Sequence, residues 1–179
     1  MSDKINVHNK TFQIYLEEEK ITARVEALAE AINQRNQDNC PVFLVILKGA
    51  FLFATELIKR FNGPCEVEFI KVSSYKGTES SGEVRVENLD HELLTGRDVI
   101  IIEDIVDSGR TMHNFLPIVK ASNPRSVQLC TLLFKPEALK YPVDIDYKAF
   151  EIPNEFVVGF GLDYDGIGRN FPCIYQLSE

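Results

Sequence analysis

Two stretches without a single polar residue constrain this chain more than anything else in it: Val42-Phe43-Leu44-Val45-Ile46-Leu47 and Val99-Ile100-Ile101-Ile102. A strand half open to water alternates apolar with polar side chains. Unbroken short runs bounded by turn signals instead suit strands buried on both faces, as in a parallel sheet covered by helices. The segments on either side of the first run have the other period. Ile21, Val25, Leu28 and Ile32 recur at helical spacing among Glu, Gln and Arg, which predicts an amphipathic helix over roughly residues 16–36. Residues 51–61 resume a helical pattern that ends at Asn62-Gly63-Pro64.

Further strands are predicted at 66–73, at 127–134 and, shorter, at 156–160 and 174–177, with Val84 and Val86 hinting at one more. A helix is predicted to start near Gly109 to Thr111 and to stop at Asn123-Pro124. Alternating strand and helix through the middle of the chain argues an α/β fold, a mainly parallel sheet flanked by helices. No repeat or linker divides the 179 residues, so one domain is expected over 1–179.

Composition narrows the partners. With 45% hydrophobic residues against 26% charged, the chain has enough apolar surface to fold. Its 27 acidic and 19 basic side chains leave a net charge of −8, which argues against a nucleic-acid partner. The longest apolar run, residues 40–47, falls short of the ~20 residues of a membrane span. The polar start Met1-Ser2-Asp3-Lys4 is followed by no apolar core of a secretory signal, so a cytoplasmic chain is expected. Cys40, Cys65, Cys130 and Cys173 form no Cys-x-x-Cys pair, and His8, His91 and His113 are scattered; reduced thiols and no transition-metal centre are the reading.

The segment richest in chemistry follows the second apolar run: Glu103-Asp104-Ile105-Val106-Asp107-Ser108-Gly109-Arg110-Thr111. Adjacent carboxylates at the end of a buried strand are costly unless sugar hydroxyls or a bound Mg²⁺ offset the charge. Hydroxyls and a glycine where a helix begins make a phosphate cradle, because free backbone N–H groups and the helix dipole favour an anion there. The plain alternative is a helix whose N-cap is Asp107 or Ser108. Taken together, the buried strand, the acid pair, the third acid and Ser-Gly-x-Thr resemble the phosphoribosyl pyrophosphate (PRPP) motif of the type I phosphoribosyltransferases. No Walker sequence is present.

Four more segments resemble one branch of that family, the hypoxanthine (hypoxanthine-guanine) phosphoribosyltransferases. Leu47-Lys48-Gly49-Ala50 is similar to its pyrophosphate loop, and Ser73-Ser74-Tyr75-Lys76-Gly77-Thr78 through Gly82-Glu83-Val84 to its mobile lid. Leu132-Leu133-Phe134-Lys135-Pro136 resembles the strand end with the purine-reading lysine, and residues 156–164 the segment that stacks on the base. Taken singly, Lys48 reads as a solvated loop lysine, Tyr75 as a surface tyrosine, Lys135 as a turn lysine and Phe156 as core; the resemblance reverses those readings. Arg169 has the weakest case, since Asp165-Gly166-Ile167-Gly168-Arg169 is glycine-rich where the family is not.

The resemblance implies a parallel-sheet fold with a small hood formed by the chain ends, and a lid at about 73–84. It implies transfer of the phosphoribosyl group from PRPP to hypoxanthine or guanine, with Mg²⁺ as cofactor. Asp107 would be the general base, and Glu103, Asp104, Asp107, Ser108, Gly109, Arg110 and Thr111 would hold ribose and 5′-phosphate. Lys48, Gly49 and Arg169 would bind pyrophosphate, with the Leu47–Lys48 peptide cis. Lys135, Phe156, Val157 and Asp163 would bind the purine; Glu103, Asp104 and Asp163 would serve the metal; Ser74 and Tyr75 would belong to the lid. A homodimer or homotetramer is implied.

Three other readings compete. A receiver domain also uses an acid pair, Mg²⁺ and a lysine before proline, but its acid pair lies near its start and its lysine far downstream, whereas Lys135 follows Asp104 by 31 positions. A PRPP- or nucleotide-sensing regulator on the same fold would need a basic face, which the net charge argues against. An enzyme for another base, such as xanthine or a pyrimidine, is the third. Lys135 and Phe156 favour an oxopurine, and the choice among hypoxanthine, guanine and xanthine stays open.

Overall fold

The computed structural model describes residues 3–36, 38–74 and 84–178. Its larger sheet has six strands in the order β5-β4-β3-β6-β7-β8. These are β3 (Val42–Leu47), β4 (Glu66–Ser74), β5 (Val84–Glu87), β6 (Asp98–Val106), β7 (Ser126–Phe134) and β8 (Tyr147–Glu151). All neighbours run parallel except β5, which returns antiparallel along β4. The apolar runs occupy the centre, with Val42 through Val45 of β3 in register with Val99 through Ile102 of β6.

Helices cover both faces, which is why those strands need no polar side chains. Helices α1 (Glu18–Asn36) and α2 (Phe51–Ile58) pack on Phe43, Val45, Ile100 and Ile102. Helix α4 (Arg110–Ala121) packs Met112, Phe115 and Val119 on Val42, Leu44, Val99 and Ile101. A four-residue helix, α3 (His91–Leu94), caps the approach to β6. Each of these buried aliphatic or aromatic side chains contributes about 1.5–3 kcal/mol relative to exposure. The entry end of β6 is tied by polar contacts: buried Asp98 accepts from Arg125 Nε (2.9 Å), Arg125 Nη2 and Ser126 Oγ (2.7 Å).

A second sheet of four antiparallel strands, β1-β2-β10-β9, is built from the chain ends. It joins β1 (Lys4–Val7), β2 (Lys10–Leu16), β9 (Val157–Val158) and β10 (Ile174–Leu177) around Val7, Phe12, Val158, Cys173 and Tyr175. This is the hood that the family resemblance implies.

Several boundaries differ from the sequence reading. The first helix begins at Glu18 because Leu16 still belongs to β2. Strand β6 runs on to Val106, since Ile105 and Val106 keep pairing with Leu133 and Phe134; the acid pair therefore sits inside the strand rather than beyond it. The stretch predicted as a strand over 156–160 keeps only Val157–Val158, because Gly159, Phe160 and Gly161 all take positive φ and turn the chain. No described helix is long and apolar enough to cross a membrane.

Candidate active site

The carboxyl ends of β3, β6 and β7 open on one edge of the larger sheet, where a doubly covered parallel sheet places its ligands. Lys48 and Gly49 follow β3; the Leu47–Lys48 peptide is cis, and Lys48 is exposed. Gly49 is buried against β6: a Cβ on it would stand 1.4 Å from Asp104 Oδ2, so only glycine fits beside that carboxylate. On its other side the Gly49 carbonyl meets the backbone of Gly161 from the hood segment.

Strand alternation sends the two adjacent acids to opposite faces. Asp104 turns toward Gly49, and its Oδ1 accepts from the Ile105 N–H (2.8 Å). Burial pushes its pKa up to about 6, opposed by that N–H and by the Arg169 guanidinium. Glu103 turns into a narrow cleft that it shares with Ile105, Asp107, Gly109, Thr111 and Met112. It is 8% exposed and its Oε2 has no hydrogen-bond partner among the described residues. Burial, then the charges of Asp104 and Asp107, hold its carboxyl well above the usual range.

The turn from β6 into α4 decides between a plain cap and an anion cradle. The N-cap is Gly109, in the left-handed region at φ 76°, and it makes no side-chain cap. Asp107 spends Oδ1 on the Ser108 N–H, and Ser108 Oγ reaches the Arg110 N–H only at 3.5 Å. The first-turn N–H groups therefore lack the strong side-chain acceptor that a capping residue supplies. The loop is braced from below, where Ser108 O accepts from Lys140 N and Tyr141 N (3.0 Å each). Arg110 and Thr111 are exposed.

Asp107 and Lys135 leave β6 and β7 side by side: Val106 pairs with Phe134, and Lys135 N donates to Val106 O (2.9 Å). Lys135 is 9% exposed, and its ammonium is destabilised by burial, so its pKa falls below that of an ordinary lysine; Asp107 and Glu155 oppose the shift.

The hood segment supplies the rest. Phe156 is 41% exposed, Val157 is buried with its backbone paired to Gln176, and Asp163 is half-buried. The glycine-rich stretch is a tight hairpin turn. Tyr164 and Ile167 exchange backbone hydrogen bonds (2.9 and 3.1 Å) around Asp165 and Gly166, both at positive φ, the geometry that an Asp-Gly pair favours. That turn returns Arg169 onto Asp163: Nη2 lies 2.6 Å from Oδ1, and Nη1 donates to Gly161 O (2.7 Å). Asp163 Oδ2 accepts from the Gly166 N–H (2.7 Å). Both of these side chains thus first lock their own hairpin.

Of the lid residues, Tyr75 lies outside the described residues, and Ser74 enters only as the last residue of β4. Residues that the sequence reading left without a role meet at Phe156: the rings of Phe12 (6.0 Å) and Tyr164 (5.5 Å), and Lys10 Nζ 5.4 Å from the ring centre. The sequence signal reached Phe12 alone, through the alternation of Phe12 and Ile14 with Thr11 and Gln13; no local pattern marks Lys10 or Tyr164.

Comparison with known proteins agrees with this geometry. Residues 13–165 match the family model described as phosphoribosyl transferase domain. A hypoxanthine-guanine phosphoribosyltransferase of Mycobacterium avium is 42% identical over 178 residues, covering 91% of this chain and 87% of the relative. A protein of Listeria innocua named bifunctional protein TilS/HprT is 40% identical over 170 residues, 94% of this chain; the chain spans only 26% of that relative's length. A crystal structure of a hypoxanthine phosphoribosyltransferase from Staphylococcus aureus superposes with a TM-score of 0.87 at 37% identity, over 93% of this chain and 91% of that one. By sequence and by fold, the chain belongs to the phosphoribosyl transferase family, in its hypoxanthine(-guanine) phosphoribosyltransferase branch.

Proposed function

We propose that the protein is a purine-salvage transferase of the cytoplasm, acting as a homodimer or homotetramer, that moves the 5-phosphoribosyl group from PRPP to a 6-oxopurine. The bond between C1′ and the pyrophosphate oxygen breaks, a bond from C1′ to the purine N9 forms, and the base gives up one proton. Hypoxanthine yields IMP and guanine yields GMP, with pyrophosphate released.

One observation carries this reading: Asp107 and the buried Lys135 emerge together from hydrogen-bonded strands. A 6-oxopurine presents N7 and O6 side by side on one edge. Lys135 would donate to O6, and Asp107 would take the N7 proton as N9 attacks. Adenine offers an amino group where Lys135 needs an acceptor, which leaves a buried cation unpaired, so it is rejected. The exposed face of Phe156 would stack on the base, and Val157 and Asp163 would border its 2-position.

The α4 turn, Asp107 through Thr111, would cradle the 5′-phosphate with its uncapped N–H groups and hydroxyls. Lys48, Gly49 and Arg169 would meet the pyrophosphate, and Ser74 and Tyr75 would close over the reacting centre to exclude water.

Residues for Mg²⁺ fit its chemistry. The ion takes one or two carboxylates and fills its shell with substrate oxygens and water. Glu103 brings an unpartnered buried oxygen on one face of β6, and on the other Asp104 feels the charge of Asp163; all three are hard oxygen donors. Among the described residues no three His, Cys, Asp or Glu side chains converge into a cage, so substrate oxygens and water would have to complete the shell. Bound there, Mg²⁺ would supply neutralisation of the leaving pyrophosphate.

The test is nucleotide formation from PRPP and Mg²⁺ with hypoxanthine, guanine, xanthine and adenine supplied separately. Turnover of hypoxanthine without turnover of adenine is the expected result. Binding of PRPP with no turnover of any base would replace the transferase by a sensor, a reading that the Mycobacterium avium and Staphylococcus aureus relatives, both named as phosphoribosyltransferases, do not favour.

A further inference from the structure

Lys10 is the first residue of β2, far in sequence from the segment it touches. Its ammonium stands over two rings at once, 5.4 Å from the centre of Phe156 and 4.9 Å from that of Tyr164. Among the described residues it makes no ion pair, so these rings are its partners. The rest of the hairpin tip points the same way. His8 meets the Tyr164 ring edge-on (5.3 Å, 89°), and Tyr164 OH reaches Asn9 Oδ1 at 3.5 Å. Tyr164 in turn stands edge-on to Phe156 (5.5 Å, 88°), and fully buried Phe12 supports it from below (6.0 Å).

Phe156 is 41% exposed, so burial alone does not fix the orientation of its ring. Left alone, it would give a stacking partner an ill-defined surface. Here the positions of the ring are restricted by two ring contacts and by a cation whose attraction depends on the ring facing it.

We propose that Lys10 is a positioning residue of the purine subsite: together with Tyr164 it fixes the Phe156 ring so that its open face is presented to the base. This rests on the reading of Phe156 as the base platform. Its contacts are with the Phe156 and Tyr164 rings, so the proposal confines its influence to binding of the base.

The experiment uses the full chain and four variants: Lys10→Met, which keeps the stem and removes the charge; Lys10→Arg, which restores a cation; Phe156→Leu; and Lys10→Met combined with Phe156→Leu. Measured are KM for hypoxanthine and for PRPP, thermal midpoint, and calorimetric affinity for IMP and for ribose 5-phosphate. Lys10→Met should raise the hypoxanthine KM and weaken IMP about two- to fivefold, the scale of an exposed cation–ring contact. Ribose 5-phosphate affinity, the PRPP KM and the midpoint should stay put, Lys10→Arg should recover the loss, and Lys10→Met should add nothing once Phe156 is leucine.

If Phe156→Leu weakens IMP while Lys10→Met does not, the role of Lys10 falls and the platform stands. The role of Lys10 falls likewise if Lys10→Met weakens IMP equally in the Phe156→Leu background, or impairs ribose 5-phosphate and the midpoint together. If Phe156→Leu leaves IMP affinity unchanged, the platform reading fails and takes the proposal with it.

Discussion

Glu103 is a single side chain that the fold buries and leaves unsatisfied, as a group proposed to serve a ligand would be. A buried carboxyl with an unpartnered oxygen weakens the ligand-free protein. Its raised pKa means that the folded state holds the proton longer than the unfolded chain does. Stability is therefore complete below the unfolded carboxyl pKa of about 4.3 and is lost as pH rises through the window above it. Glu103→Gln removes the ionisation. The variant should melt about 2–4 °C higher than the parent near neutral pH, and the gap should close as pH falls toward about 4. The same change should raise the KM for PRPP, because the ribose and its metal lose a charged acceptor; thermal unfolding across pH and steady-state kinetics check both. Gly49 is the opposite case, a residue defined by what cannot be added. Its would-be Cβ overlaps the Asp104 carboxylate, so Gly49→Ala must displace either the Lys48–Gly49 loop or the acid. Catalysis should fall about a hundredfold or more, with the circular dichroism spectrum retained.

Strand β6 carries this division along its own length. Its entry end is structural, with Asp98 buried and bonded to Arg125 and Ser126, and its exit end holds the acids of the candidate site. The Arg125 guanidinium beside Asp98 holds that carboxyl below the usual range. The sign is the reverse of Glu103: this stability is present above the unfolded Asp pKa of about 3.9 and is lost as pH falls through the lower folded value. Asp98→Asn should lower the thermal midpoint at neutral pH by a few degrees, about 1–2 kcal/mol with one partner open to water, and leave the KM values alone. Once the pH has fallen below the folded carboxyl's own pKa, the two proteins should melt together. Elements like β6 were legible in the sequence because burial on both faces leaves an uninterrupted apolar run. The exact exit of β6 was not, since Glu103 and Asp104 look like a loop until their neighbours Ile105 and Val106 are seen to pair. Strand β8 escaped too: Tyr147-Lys148-Ala149-Phe150-Glu151 is a short edge whose pattern is no stronger than that of many loops.

At the scale of the whole molecule, the candidate site is split between a sheet that the sequence announced and a hood that it scarcely announced. The larger sheet follows from local patterns, and its motif residues, Lys48 to Gly49 and Glu103 to Thr111, are contiguous in the chain. The hood joins residues from opposite ends, and pairing of that range leaves no local trace beyond the alternation in β2. Cooperation such as that of Lys10 with Phe156 is therefore invisible until the ends meet. This split has a consequence for specificity. Lys135 follows β7 of the larger sheet and, on the proposed reading, would face the atom that distinguishes oxopurines from adenine, whereas Phe156 of the hood segment would offer a face to any purine. Stacking is worth about 1–3 kcal/mol per base and is indifferent to the base's edge, so Phe156→Leu should lower kcat/KM about tenfold for hypoxanthine and guanine alike. Their ratio to adenine should hold. Lys135→Gln should instead reduce kcat/KM for hypoxanthine about ten- to a hundredfold, because a charged donor to O6 is replaced by a neutral amide. That amide can turn its oxygen toward an amino group, so adenine should gain while hypoxanthine loses, and the ratio between them should collapse. Competition of the two bases for limiting PRPP, read out as IMP against AMP, measures that ratio directly. A Lys135→Gln enzyme as selective as its parent would place the reading of the 6-position elsewhere.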